Sequence, residues 1–358
     1  MKILDFYIIK KFFSAYIFII LIFSGILIVI DLAEKIENFR KPTLTAWRIF
    51  SEYYIFFVPH FTSQLSPLIV FITAVFVTSR LSSHTEIIAM LSSGMSFRRI
   101  LRPFFIASVL IGMLVFYLYG YLVPETNKKR HAFENEFVRE KYFYKETNTH
   151  KQLAPNIYAY LQNYDNNSKT GYRFTLEKIK NKELLIKLEA AKIVWNEKKK
   201  KWILEDYRLR TFDKDIEKIS FGKTMDTTLA MQPTDFESKH LQEEQLTITE
   251  LNNIVKDMKL RGEMNVETFI VEVYMRYAYP FSIIILTLIG VIVSARKVRG
   301  GTGKQIAIGF GLAIIYVFLI IIFKNFAQKE GFPPILAVWL PNILFALIGF
   351  YLYFKLPK

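Results

Sequence analysis

Six long apolar runs divide the chain. A helix that crosses a bilayer needs about 20 mostly apolar residues. Phe12 to Ile30 meets that length without one charged side chain. It is too long for a signal-peptide core, and no small-residue cleavage site follows it. Tyr53 to Ser79 is the second run, with Pro59 and Pro67 as expected kinks, and Pro103 to Val123 is the third. No comparable run then occurs until Tyr277. Tyr277–Ala295, Ile306–Phe323 and Ile335–Phe354 complete the set. Six crossings put both termini on one side.

The stretch between the third and fourth runs, roughly Pro124 to Val266, has a different rhythm. NIYAYLQNY, YRFTLEKI, ELLIKLEAAKIVW and KWILEDYRLRTF are rich in β-branched and aromatic residues and partly alternate, which predicts strands. NEKKKK, between Trp195 and Trp202, reads as a hairpin tip, and DNNSKTG at 165–171 as a turn. About eight short strands in a sandwich or jelly roll fit this pattern. Thr247-Ile-Thr-Glu250 then has the spacing of a capping box, opening a helix that ends at Gly262. The expected fold is therefore an α-helical integral membrane protein with six transmembrane helices and an inserted all-β, jellyroll-like domain. Its expected divisions are 1–123, 124–266 and 267–358.

Composition sharpens the picture. The chain has 358 residues, 52% of them hydrophobic, yet carries a formal charge of +15. Apolarity and charge are segregated along the sequence. Lys2, Lys10 and Lys11 precede the first run, and Arg80, Arg98, Arg99 and Arg102 lie between the second and third. Arg296, Lys297, Arg299 and Lys304 lie between the fourth and fifth, and Lys355 and Lys358 follow the sixth. All fall on one side, which the positive-inside rule makes the cytoplasm. The β insert then lies outside. Cations clustered at membrane edges speak against a nucleic-acid partner. With no cysteine, thiolate metal sites and disulfides are excluded, and five scattered histidines form no metal motif. No catalytic constellation stands out.

RGGTGKQ at 299–305 is reminiscent of a phosphate-binding loop but fails its test. The pattern requires Ser or Thr after Gly-Lys, where this chain has Gln305, and a glycine where it has Val298. The run reads instead as a cytoplasmic turn.

Three other features carry chemistry. In SRLSSHTEIIAMLSSGMSFRRILRP, residues 79–103, Ser82 or Ser83 is placed to cap a short helix closed by Gly94. A short amphipathic helix between two crossings suits docking onto a soluble partner, as in the coupling helices of ABC transporters. Glu86 would be its polar contact, with Ser83, Gly94 and Arg98 around it. The alternative is an interfacial helix with Glu86 solvated. Glu272 and Arg276, four residues apart, face each other near the outer end of the fourth crossing. They suit either a substrate contact or a structural salt bridge. Lys35, Arg40 and Lys41 follow the first crossing on its outer side, and Lys128, Lys129 and Arg130 follow the third. Cations there can bind a phosphorylated lipid headgroup. The alternative is a solvated flank, since Asp31, Glu34 and Glu37 are interleaved. His60 in the second run reads as a satisfied buried histidine. FPPILAVWLPN at 332–342 reads as structural, with Pro341 and Asn342 expected to break the helix locally.

The connector TEIIAMLSSGMSFRRILRP, the stretches EVYMRYAYPF and PPILAVWLPN, and the inserted LEAAKIVW, KWILEDYRLRTF and MQPTDF resemble the LptF/LptG permeases in their order and spacing over nearly the whole chain. That resemblance implies the transmembrane subunit of the lipopolysaccharide-export ABC transporter of the Gram-negative inner membrane, with both termini cytoplasmic and a periplasmic β-jellyroll. It implies a second LptF/LptG-type permease and a cytoplasmic LptB-like ATPase dimer as partners. Periplasmic LptC/LptA-like jellyroll bridge proteins are the third implied partner. Lipopolysaccharide is the cargo. ATP and Mg²⁺ would be used by the partner ATPase, with no cofactor in this chain. Glu86 falls at the family's ATPase-contacting glutamate. Lys35, Arg40 and Lys41 match by position the cations that meet lipid A phosphates. The Glu272/Arg276 pair matches the family's E-x-x-x-R pattern and receives no role from it. Two other classes remain open from the residues alone: an ion-coupled secondary transporter using Glu272, Arg276 or His60, and a membrane anchor that recruits periplasmic partners.

Overall fold

Five of the six apolar runs each fold as one helix or a helix with its π-helical extension, and the second is split between two helices. The computed structural model describes residues 3–42, 44–138, 147–181, 183–213, 216–233, 242–261, 266–295, 302–329 and 331–355. Helix α1 spans Ile3–Phe39. A short α2 (Ala46–Ile49), capped by Thr45 Oγ1 accepting from the Arg48 N–H, leads through a π-helical turn at Phe50–Tyr54 into α3 (Ile55–Gln64). The second run is broken at Leu65, and α4 (Ser66–Ser83) starts there. Pro67 thus stands in a helix's first turn, where a missing N–H costs nothing, while Pro59 lies inside α3. A short α5 (Glu86–Ser92) precedes α6 (Phe97–Tyr117). A second π-helical turn, Leu118–Leu122, joins α6 to α7 (Val123–Phe137). Residues 124–137, expected to begin the β insert, thus continue the third helix.

Two compact units emerge. The first comprises Met1–Val138, Glu243–Asn252 and Glu267–Lys358, and the second Arg139–Gln242 and Asn253–Val266. The segments 124–138 and 243–252, expected to belong with the insert, therefore cluster with the apolar helices.

The second unit holds seven strands: β1 (Thr149–Ala154), β2 (Ile157–Leu161), β3 (Asn163–Asp165), β4 (Thr170–Lys180), β5 (Glu183–Asn196), β6 (Lys201–Asp213) and β7 (Ile216–Thr227). They form one antiparallel sheet in the order β1-β2-β4-β5-β6-β7, with β3 on β4. The expected jellyroll-like domain of about eight strands is, among the described residues, this seven-stranded sheet, whose strands follow sequence order except that β2 and β3 both pair with β4. Both expected turns are present, at 166–169 and 197–200. Asp165 builds the first by accepting from Asn167 N–H and Ser168 Oγ. Leu161, Phe174, Ile193, Trp202 and Leu204 form the core of this unit, and the indole of Trp202 donates to the Met231 carbonyl at 2.7 Å. Arg173 and Asp206 both take a φ of +52° without changing the register of their ladders, whereas the β4–β5 register shifts between Lys178 and Ile179, as at a bulge.

The chain returns through a 3-10 turn at Gln242–Gln245 to α8 (Ile248–Arg261). The predicted capping box is formed: Glu250 N–H donates to Thr247 Oγ1, and Thr247 N–H donates to Glu250 Oε2 at 2.7 Å. Gly262 lies outside the described residues. Helices α9 (Val266–Ser294), α10 (Thr302–Lys329) and α11 (Pro334–Phe354) close the first unit. The expected turn at 299–305 is corrected in part, since Thr302–Gln305 already belong to α10 and 296–301 lie outside the described residues. The expected break at Pro341 is also corrected, because α11 runs through it. Asn342 is buried and accepts from Ser282 Oγ at 2.9 Å and Tyr316 OH at 2.8 Å, tying α9, α10 and α11 together. Inter-helical bonds of this kind suit an apolar surround, where an unpaired polar group is costly.

Among the described residues, six helices are long and apolar enough to cross a membrane: Ile3–Phe39, Ser66–Ser83, Phe97–Phe137, Val266–Ser294, Ala307–Gln328 and Pro334–Phe354. Their burial is unequal. The apolar window of α4 is 72% buried, against 17% for α1 and for α10. Helix α4 is therefore central, and α1 and α10 present apolar faces outward. Gly309 of α10 packs on Val75 of α4 so closely that an added Cβ would lie 2.8 Å from Val75 Cγ2. A small residue at a crossing lets two backbones approach, which is how apolar helices gain packing in lipid.

Candidate functional site

A buried polar network lies where α1, α3, α7 and the returning 3-10 turn meet. It begins at the last turns of α1. Asp31 and Lys35 are four residues apart and face each other, with Lys35 Nζ 2.6 Å from Asp31 Oδ1. Lys35 also bonds the Tyr53 hydroxyl and lies 3.5 Å from Glu134 Oε1 on α7. Tyr53, in the first π-helical turn, donates to Asp31 at 3.1 Å or to Glu134 at 3.3 Å. Such turns rotate side chains out of the regular helical register and recur at functional sites. Tyr53 stacks on Phe133 and meets Phe39 edge-on, so aromatic rings enclose the ammonium group.

The network continues along α7. Glu134 Oε2 lies 3.4 Å from His131 Nδ1, and Arg130 Nη2 lies 3.0 Å from His131 Nε2. Arg130 and His60 then converge on Glu244 Oε2, at 3.3 and 3.4 Å. Asn127 Nδ2 contacts His60 Nδ1 at 2.9 Å and donates to the Glu244 carbonyl at 3.0 Å. Three carboxylates thus meet a lysine, an arginine and two imidazoles. Burial by itself would raise the Glu244 carboxyl. The hydrogen bond from His131 and the charges of His60 and Arg130 outweigh it and hold Glu244 below its usual range.

A second buried anchor adjoins the returning chain. Arg276 Nε is 3.1 Å from Glu272 Oε1, and both side chains are almost wholly buried. The remaining guanidinium nitrogens donate to the Leu246 and Glu243 carbonyls at 2.5 and 3.0 Å. Tyr119, in the second π-helical turn, places its ring 5.4 Å from the same guanidinium. Gly120 beside it leaves room for Ile248, whose Cδ1 an added Cβ would meet at 2.7 Å. The predicted i, i+4 pair is therefore formed, and its arginine binds main-chain carbonyls.

The predicted headgroup cations separate into two groups. Lys35 and Arg130 are committed to the network, and Arg130 is buried. Arg40 and Lys41 are exposed at the end of α1, where Lys41 Nζ donates to the Phe137 carbonyl at 2.5 Å. Lys128 is half-exposed and paired with Glu125 at 2.7 Å and Glu250 at 3.7 Å. Lys129 lies over the Phe56 ring.

At the other end of α1 lies the predicted coupling segment. Glu86 opens α5, and its carboxylate accepts from Tyr7 OH at 2.9 Å and Lys11 Nζ at 3.0 Å. Gly94 follows α5 with a φ of +83°, as a helix-closing glycine does. Arg98 is exposed on the first turn of α6. The expected cap is corrected. Ser83 ends α4 and donates to the Arg80 carbonyl, and Ser82 donates to the Ala295 carbonyl at 3.2 Å. Thr85, with a φ of +61°, is the residue before α5, so neither serine can reach its N-terminus as a cap.

Pairs close in sequence, such as Asp31/Lys35 and His131/Glu134, could be found by spacing alone. The bonds of Glu244 to Arg130 and of Glu86 to Tyr7 and Lys11 join distant positions and leave no local signal.

A multi-pass membrane protein, mostly helical and interrupted midway by an antiparallel sheet, with ion networks at both ends of its first helix, is the class these features define. The family described as Lipopolysaccharide export system permease LptF/LptG matches residues 6–355. The chain belongs to that family, so the resemblance read from its motifs holds across nearly the full length. Comparison with curated proteins gives no match.

Proposed function

We propose that this chain is a transmembrane subunit of a transporter that extracts lipopolysaccharide from the inner membrane and passes it to a periplasmic protein bridge, powered by a separate ATPase. The family match over residues 6–355 carries this reading, because it takes in the helices and the inserted sheet together. Exposed apolar faces on α1 and α10 suit a second permease and the acyl chains between the two. Arg40 and Lys41 supply exposed cations for headgroup phosphates, and Lys35 shapes the ground beneath them. β1 and β7 are the end strands of the described sheet, where a bridge protein can continue it by strand addition. In this reading the termini and the 79–103 connector are cytoplasmic, the sheet is periplasmic, and Glu86 meets a basic group of the ATPase dimer. ATP and Mg²⁺ act in that partner.

Purification from the host in mild detergent tests the reading. A stoichiometric ATPase should accompany the wild-type chain and be lost from Glu86→Ala. A gently prepared complex without an ATPase would reject an ABC mechanism and favour ion-coupled transport or a membrane anchor.

A further inference from the structure

The coupling carboxylate is not free-standing. Lys11 Nζ lies 3.0 and 3.4 Å from the two oxygens of Glu86, and the Tyr7 hydroxyl donates to the second of them at 2.9 Å. Lys11 is itself held over the Tyr7 ring at 4.2 Å. Tyr7 and Lys11 are four residues apart on α1, so one face of that helix presents both donors. Two residues before Tyr7, buried Asp5 binds Arg99 Nη2 at 2.8 Å, at the start of α6. The first turns of α1 therefore grip both ends of the connector, at α5 and at α6.

We infer that Tyr7 and Lys11 are positioning residues that tie Glu86 to α1, so that α1 carries movement of the connector to the far end of the helix. The inference rests on the reading of Glu86 as the ATPase-docking carboxylate. Three observations support it. A carboxylate accepts about four hydrogen bonds, so Tyr7 and Lys11 fix its orientation and leave capacity for a partner's cation. The Lys11 and Glu86 side chains keep 37% and 29% of their surface exposed, which leaves the group open to a docking protein. Helix α1 is unbroken from Ile3 to Phe39. Lys11 and Lys35 thus stand about 36 Å apart on one rod, at 1.5 Å per residue. Lys35 at its far end belongs to the buried network beside the exposed cations. No other described residue donates a side-chain hydrogen bond to Glu86.

The test uses the complete complex, purified with its ATPase and reconstituted with lipopolysaccharide. Lipid released per ATP hydrolysed is measured for Lys11→Met, Lys11→Arg and Tyr7→Phe, alongside ATPase retention and thermal stability. Lys11→Met should keep the ATPase and its melting temperature while lipid released per ATP falls about fivefold or more. Lys11→Arg should restore the yield, and Tyr7→Phe, which keeps the ion pair, should give a smaller fall. If Lys11→Met folds poorly, Tyr7→Phe and Lys11→Arg carry the comparison. Wild-type yield from Lys11→Met, or its loss of the ATPase, would overturn the inference. Glu86→Ala separates the two claims. If that variant retains the ATPase and exports lipid, the docking reading fails, whereas an effect of Glu86→Ala with none from Lys11→Met removes only the role given to α1.

Discussion

Arg130 Nη2 lies 3.3 Å from Glu244 Oε2, joining the helix that leaves for the β insert to the turn by which the chain returns. Both side chains are largely buried, and 114 positions separate them in sequence. With Asn127 on the Glu244 carbonyl and Arg276 on the Glu243 and Leu246 carbonyls, the returning segment is fixed among the membrane helices before α8 begins. Removing one partner of a buried pair leaves the other charge unpaired, which costs more than the pair contributes. Arg130→Met should therefore destabilise the purified protein by roughly 3 kcal/mol. Glu244→Gln should cost less, because an amide keeps hydrogen bonds in place. Thermal unfolding in detergent measures both. Equal, negligible effects would show that the segment is held by packing alone.

The cations near the end of α1 differ in what their loss should do. Lys35 is the half-buried counter-charge of Asp31 and Glu134, whereas Arg40 is exposed at the helix end. Lys35→Met should lower stability and lipid binding together. Arg40→Ala with Lys41→Ala should weaken binding of lipopolysaccharide about five- to tenfold, a loss typical of one or two charge-assisted bonds, while changing the melting temperature little. Lipid binding by the purified variants, read beside their thermal unfolding, checks this. Unchanged affinity in the double variant would remove Arg40 and Lys41 from headgroup recognition.

The capping box gives a pH signature. The backbone hydrogen bond from Thr247 is the largest influence on the Glu250 carboxyl and lowers its pKa, with Lys128 adding to the shift. A group lowered on folding stabilises above its ordinary range and loses that contribution as pH falls through its folded value. Amide protection at the start of α8 should stay level from pH 7 to about 5 and decline below about 4. Glu250→Gln should abolish that dependence. Thr247→Ala should cost about 1 kcal/mol of local stability. A decline of the same size in Glu250→Gln would assign the pH response to another group.

The parts of this fold that depend on near neighbours were legible in the sequence. The six crossings, the Thr247/Glu250 box, the Glu272/Arg276 pair and the tips at 165–171 and 197–200 need only spacing or composition. Helix ends were less legible. Helix α1 continues through Asp31–Phe39 because Ala, Glu and Lys favour helix even where hydropathy has ended. Proline gave a mixed signal: Pro59 and Pro341 sit inside helices, and the break falls at Leu65. The interleaved acids near Lys35 suggested a solvated flank. Tertiary packing instead brings Glu134 and Tyr53 onto that turn and encloses it in aromatic rings. Nothing local to Glu86 announced Tyr7 and Lys11, because 79 and 75 positions separate them.

The proposed function has this chain move lipopolysaccharide by energy received from an ATPase. Its most direct test is release of lipopolysaccharide from proteoliposomes containing the complete complex to a bridge protein outside, with and without ATP and with and without a proton gradient. Release should require hydrolysable ATP, ignore the gradient and be abolished by Glu86→Ala. Release driven by the gradient without ATP, or ATP-driven release undiminished in Glu86→Ala, would contradict it.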